Sequence, residues 1–128
     1  MKHITTCLII LTALTIIITG CRKETVYSKT FTGKIVYNAC GTVVIQVTND
    51  IGTIGTSSWA VPNSTQTYQN AFMVKNYCYV DEFLRTNRAK TDISFRVSKD
   101  DRTGGNNCAV YTCFVAGPAA SGYIYDIN

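Results

Sequence analysis

The chain has 128 residues and a formal net charge of +4, and charged residues make up 16% of it. This length is enough for one domain and too short for two. The lysines and arginines are spread along the chain, so the sequence lacks the clustered basic surface that marks nucleic-acid binding. Composition therefore indicates a single small domain with no nucleic-acid partner.

The first predicted element is an apolar N-terminal segment that ends at a cysteine. Lys2 gives the segment a positive start, and residues 4–18 carry no charge. This length fits a signal peptide and is marginal for a membrane span of about 20 residues. The segment closes on residues 18–21, which read ITGC and resemble the lipobox of bacterial lipoproteins.

The lipobox resemblance implies a processing site and a location. Residues 1–20 would be a signal peptide cleaved between Gly20 and Cys21, and Cys21 would carry the lipid. Several acyl chains anchor a protein stably, at about 0.8 kcal/mol per buried CH₂ group. Residues 21–30 would then be a tether to the outer membrane of the cell envelope, facing the periplasm or the cell surface. An uncleaved single-span anchor and a signal cut elsewhere are the alternatives.

The segment 31–128 is predicted to be an all-β domain, because aromatic and β-branched residues alternate with polar ones between turn signals. Pro62 interrupts the polar segment 57–70, which favours a loop or an edge strand. One helical turn could fit within 81–90. Strands are predicted over 31–39, 41–49, 71–80, 91–99, 108–116 and 121–127.

Five or six short strands with regular turns favour a small closed barrel of OB-like type, since closure removes the exposed sheet edges. A two-sheet β-sandwich is the alternative. The segments GKIVYNACGTVVIQV, YQNAFMVKNYC and ISFRV, with a late cysteine pair before GP, resemble small lipoproteins common in Bacteroidota genomes. This resemblance implies an envelope protein and a fold more than it implies a function.

Six cysteines divide between the two parts of the chain. Cys7 leaves with the signal peptide and Cys21 is the lipidation site. In an oxidising compartment the remaining four predict two disulfides, with three possible pairings. A local bridge between the last two would need a bulge or a tight turn, and a zinc site is disfavoured by their loose spacing. The four disulfide candidates are Cys40, Cys78, Cys108 and Cys113.

Catalytic chemistry has few candidates. The single histidine, His3, lies in the predicted signal peptide, so the mature chain offers no Ser-His-Asp or Cys-His arrangement. Most carboxylates fall in predicted turns, and two carboxyl groups held across a cleft would need more room. Residues 100–107 could supply calcium ligands but lack EF-hand spacing, so a turn is favoured. We therefore predict no enzyme activity, no metal and no cofactor.

The best functional lead is an aromatic residue within a polar loop. Trp59 is followed by amide and hydroxyl side chains, including Asn63, Tyr68 and Asn70. Sugars bind such surfaces because their rings have apolar faces and polar edges, and OB-like barrels often bind oligosaccharides. Alternatively, Trp59 plugs one end of the barrel. The sequence predicts a lipid-anchored, non-catalytic binding module for glycan or peptide; the alternative is a structural subunit docking on an outer-membrane complex.

Overall fold

The computed structural model describes residues 29–105, 108–109, 113 and 115–128. The predicted signal peptide, the predicted lipidation site Cys21 and most of the predicted tether lie outside these residues. Within the described ranges, no helix is both long enough and apolar enough to cross a membrane.

The domain is built on seven strands and one helix in its described part. Five of the strands close into a barrel in the order first, second, fifth, seventh, sixth. Neighbouring barrel strands are antiparallel except for the fifth and seventh, which are parallel. The predicted small all-β barrel of five or six strands is confirmed as a closed barrel of five strands. The elements are β1 (Phe31–Ala39), β2 (Thr42–Val47), β3 (Trp59–Ala60), β4 (Thr67–Tyr68), β5 (Ala71–Val74), α1 (Tyr77–Thr86), β6 (Asp92–Ser98) and β7 (Ser121–Tyr125).

Strand β1 pairs with both β2 and β6, and this double pairing helps to close the barrel. Its register with β2 shifts between Ile35 and Tyr37, and such a bulge bends a strand. The first half of β1 pairs with β6, while most of its length pairs with β2. Inside the barrel, the Phe95 ring stacks against Phe31 and Phe72 with centroid distances of 6.1 and 6.5 Å. These rings form the centre of the apolar core.

Strand β2 is buried on both of its faces. Val43 and Ile45 point into the barrel core, as the alternating pattern predicts. Val44 points to the outside, yet it is also fully buried, because it packs with Trp59 and Ala71. The outer face of the barrel is therefore covered at this position by another part of the chain.

Helix α1 corrects the prediction of a strand through residue 80. Its sequence is rich in β-formers, but Tyr77, Val80 and Leu84 recur at helical spacing and pack on the core. The helix is stabilised by an ion pair at i, i+4, in which Arg85 Nη2 lies 2.9 Å from Asp81 Oδ2. Tertiary burial outweighs local β propensity here.

The described residues of the connection between β6 and β7 contact α1, the hairpin and the barrel; we call residues 99–120 the strap. The disulfide Cys78–Cys108 links the strap to α1, and Cys40–Cys113 links it to the β1–β2 turn. These bonds identify which of the three possible cysteine pairings the protein has. Of the strand predicted over 108–116, residues 110–112 and 114 lie outside the described residues, and the described ones form no strand. The strap runs close to β5, since a Cβ atom at Gly117 would overlap the Met73 sulfur.

The two ends of the barrel differ. One end, the entry end, holds the start of β1, the end of β2, the end of β6 and the starts of β5 and β7, as the strand registers require. The other, the helix end, holds the β1–β2 turn, the end of β5 and the start of β6, with α1 packed on the core. Chain entry and helix thus lie on opposite sides of the core.

Candidate functional site

The hairpin formed by β3 and β4 lies on the outside of the barrel. Trp59 and Tyr68 face each other across it, and Trp59 is 7% exposed. Its indole packs on Val44 of β2 and Ala71 of β5. The hairpin therefore covers the outer face of two barrel strands, which is the face that OB-like barrels commonly use for binding.

Trp59 holds the hairpin in place through directional contacts. Its Nε1–H donates a hydrogen bond to the Ala116 carbonyl of the strap at 2.9 Å. The Tyr37 ring meets it edge to face, with centroids 5.7 Å apart. A platform for a sugar needs an exposed ring face, whereas this ring is buried between hairpin, barrel and strap. The binding role of Trp59 stays a prediction.

Two other predicted binding residues shape turns. Asn63 has a φ of 59° and follows Pro62, while the Ser64 amide donates to the Val61 carbonyl, as in a type II turn. Asn70 has a φ of 54°, and its carbonyl accepts a hydrogen bond from the Val47 amide. Asparagine tolerates this left-handed conformation better than most residues. Their roles in ligand binding stay predictions.

The outward side of the hairpin is uncharged and polar; we call it the hairpin surface. No residue from 51 to 74 carries a charged side chain. Half-buried Tyr68 and Tyr37 stand at its margin, packed against the Trp59 cluster. The exposed side chains of the hairpin surface are those of Asn63, Ser64, Thr65, Gln66 and Thr67.

The hairpin surface is held rigidly from below. The amide of Ala120 donates to Thr56 Oγ1 at 2.9 Å, and Thr56 bridges to Ala71 at the start of β5. The Cys40–Cys113 disulfide ties the strap to the β1–β2 turn. A surface ordered in advance loses less entropy when it binds.

A polar groove of about 410 Å³ lies between α1 and the strap. Its lining includes Glu82, Thr103 and the Asp81–Arg85 ion pair. Next to it, burial and the nearby Asp81 carboxylate raise the pKa of Tyr77. Hydrogen bonds from Thr103 lower the pKa of the exposed Asp101 carboxyl. The Asp81–Arg85 ion pair lies within α1, and the bonds between Thr103 and Asp101 lie within the strap.

A second groove, of about 510 Å³, opens at the entry end where β6 and β7 diverge; we call it the entry groove. Its floor includes the core residues Phe72 and Val97, and Ile54 lines one side. Lys75 and Lys99 stand among its lining residues, which include no carboxylate. Lys75 also lies over the Tyr123 ring, 5.7 Å from its centroid.

Asn76 has a structural role that the sequence did not predict. Its side chain is fully buried where β5 ends. The Nδ2 group donates to the Ile124 carbonyl at 2.6 Å and to Thr103 Oγ1 at 3.3 Å, while Oδ1 accepts from the Ile124 amide at 2.9 Å. The amide thus pairs with β7 as a strand residue would. No sequence signal distinguishes it from other asparagines.

Among the described residues, no group of three histidine, cysteine, aspartate or glutamate side chains is placed to hold a metal ion. Several acids instead lie beside basic residues. Asp50 pairs with Lys29, and Asp126 Oδ2 lies 3.8 Å from Arg96 Nη1.

The chain was compared with known proteins on the basis of both sequence and structure. It matches no protein-family model, no curated protein and no solved structure.

Proposed function

We propose that the mature chain is a lipid-anchored protein of the cell envelope whose barrel is a non-catalytic binding module. The ligand class is a neutral glycan or an uncharged peptide, and the hairpin surface is the contact. The observation that carries the proposal is that this surface is uncharged, rich in hydroxyl and amide groups, and mounted on a rigid barrel.

Hydroxyl and amide side chains with tyrosines at the margin are a recurrent composition for recognition. Antibody loops use tyrosine, serine, glycine and asparagine because these combine contact area with adaptable hydrogen bonding. Sugar hydroxyls are donors and acceptors without charge, so they match side chains such as Gln66 and Thr67. The absence of charge from 51 to 74 disfavours phosphorylated or strongly acidic ligands.

The proposal is tested with the processed full-length protein in detergent. Envelope oligosaccharides and uncharged peptides are screened, and hits are measured by titration calorimetry. Gln66→Ala removes one exposed amide and should weaken binding about five-fold, the effect of one hydrogen bond. Thr91→Ala, an exposed polar change at the helix end, is the matched control. Binding that Gln66→Ala leaves unchanged would contradict the hairpin surface as the site.

A second candidate is an accessory subunit that docks on a larger envelope protein through the same surface. The observation that favours it is that neither of the two grooves described above includes a residue of the hairpin surface in its lining. Flat surfaces suit protein partners, whereas small ligands prefer concave sites. A photo-crosslinker at Gln66 should then capture a membrane protein, and one at Thr91 should not.

A further inference from the structure

The loop after β2 carries the one large apolar residue that is exposed to solvent among the described residues. Ile51 is 73% exposed, at the entry end of the barrel. Gly52 follows with a φ of 86°, so the chain turns sharply and presents Ile51 at its tip. Exposing a large aliphatic group in water is unfavourable, and a partner that covers it gains free energy.

The chain enters the domain beside this loop. Lys29 forms an ion pair with Asp50, directly before Ile51. The Asn49 side chain receives a hydrogen bond from the Thr32 amide at 2.7 Å and donates one to the Thr30 carbonyl at 3.3 Å. The first described residues are therefore fixed against the loop that bears Ile51.

The length of chain between the proposed lipid and this point limits how far the domain can stand from a bilayer. Eight peptide links join Cys21 to Lys29, and fully extended they span at most about 29 Å. Because the chain enters at the entry end, the start of β1 can lie no further than about this distance from the lipid. The helix end lies on the far side of the core.

We propose that the entry end rests on the bilayer, with Ile51 inserted among the lipids and the entry groove against anionic phospholipid headgroups. This inference rests on the lipid anchor at Cys21 in the proposed function. Lys99, which follows the end of β6, supplies positive charge to a groove whose lining has no carboxylate, and Phe72, Val97 and Ile54 supply its apolar walls. Lysines near an anionic membrane surface strengthen attachment. The hairpin surface is then left free for its ligand.

Tryptophan reporters in the processed full-length protein test the contact. Ile51→Trp and Ala89→Trp are reconstituted into vesicles of phosphatidylethanolamine and phosphatidylglycerol doped with a brominated phospholipid quencher. Ala89 is exposed in the turn after α1, at the helix end, and is the matched control. Quenching of Ile51→Trp should be at least about twice that of Ala89→Trp, because an interfacial side chain reaches the acyl boundary. The wild-type protein, whose single tryptophan is buried Trp59, supplies the background.

The contribution of lysine charge to membrane docking is measured in the same vesicles. In the Ile51→Trp background, Lys99→Gln should lower the docked population about five-fold. Lys90→Gln, at the helix end, should leave quenching unchanged. If neither Lys99→Gln nor the removal of phosphatidylglycerol changes the quenching, the proposed contact with anionic headgroups is overturned.

Vesicle flotation and the mass of the purified protein distinguish a failure of the lipid anchor from a failure of the proposed orientation. If the protein floats with vesicles, carries a diacylglyceryl group and quenches equally at positions 51 and 89, the lipid anchor stands and the orientation is overturned. If the mass shows no acyl group and the protein does not float, both the anchor and the orientation are overturned.

Discussion

The barrel interior and the layer outside it are held together in different ways. The interior joins five strands through continuous backbone ladders around stacked rings such as Phe95. The outer layer, consisting of the hairpin and the strap, has short ladders and is attached at separate points. These points include the two disulfides, the Trp59 indole and the Asn76 amide.

This difference predicts two kinds of response to mutation. Removing apolar volume from the interior should weaken the whole domain, since every strand shares that core. Removing one of these attachments should increase local unfolding of the outer layer first, because local unfolding starts in the least stable region. The predictions below run from the largest expected effect to the smallest.

The interior should be most sensitive at Phe95, which stacks against two other rings. Phe95→Ala should reduce the free energy of unfolding by about 3–5 kcal/mol, through lost burial and a cavity. Urea denaturation followed by circular dichroism measures this, and Phe95→Leu gives a milder variant if the first does not fold. Ile51→Ala, in an exposed loop, should change stability by less than about 0.5 kcal/mol. Equal effects at the two positions would contradict the assignment of the core.

The disulfides should be next. Replacing both Cys40 and Cys113 with alanine opens a sequence separation of 73 residues and should cost about 4 kcal/mol by chain entropy. The Cys78–Cys108 bridge spans 30 residues and should cost about 3.5 kcal/mol. Thermal unfolding with and without reductant measures both. A larger loss for the shorter loop would show that local packing, rather than chain entropy, sets the effect.

Asn76 joins the two regions, because it bonds both β7 and the strap. Asn76→Ala leaves the Ile124 amide and carbonyl without these partners and should cost about 2–3 kcal/mol. Hydrogen exchange should accelerate at the Ile124 amide. The matched control is Asn38→Ala, at an exposed position of β1, with a small effect. A protected Ile124 amide in Asn76→Ala would mean that another group takes the place of the side chain.

A smaller and local effect is expected at Trp59. Trp59→Phe keeps most of the ring packing but deletes the bond to Ala116, costing about 1 kcal/mol. Amide exchange should rise in the strap near Ala120 while the amides of β1 and β6 stay protected. Faster exchange throughout the barrel would show that hairpin and barrel form one cooperative unit.

The smallest effect is a pH dependence at the strap. Thr103 lowers the pKa of Asp101 in the folded state, so the folded protein binds fewer protons there than the unfolded chain at acidic pH. The stabilisation is present above the unfolded pKa and is lost as pH falls through the folded one. Denaturation between pH 6 and about pH 3 should show a shallower acid decline for Asp101→Asn than for wild type. Identical declines would contradict this contribution.

The predicted location in the cell envelope and the predicted strands both depend on local sequence patterns. Alternations such as that of Val43, Ile45 and Val47, with the turns between them, predicted a small all-β barrel with a sandwich as the alternative. The count of cysteines predicted the two disulfides. The lipobox at residues 18–21 and the binding function remain predictions. The turn at Asn63 follows from a local pattern, since asparagine after Pro62 favours a type II turn.

Only the tertiary structure decided which side chains are hidden. Trp59 lies in a polar stretch that suggests exposure, yet the strap and two barrel strands enclose it. The disulfide pairing, the pairing of Asn76 with β7 and the grouping of Ile51 with the chain entry all join segments far apart in sequence. Sequence periodicity reports which side of its own strand or helix a residue occupies, whereas burial depends on what other segments cover that side.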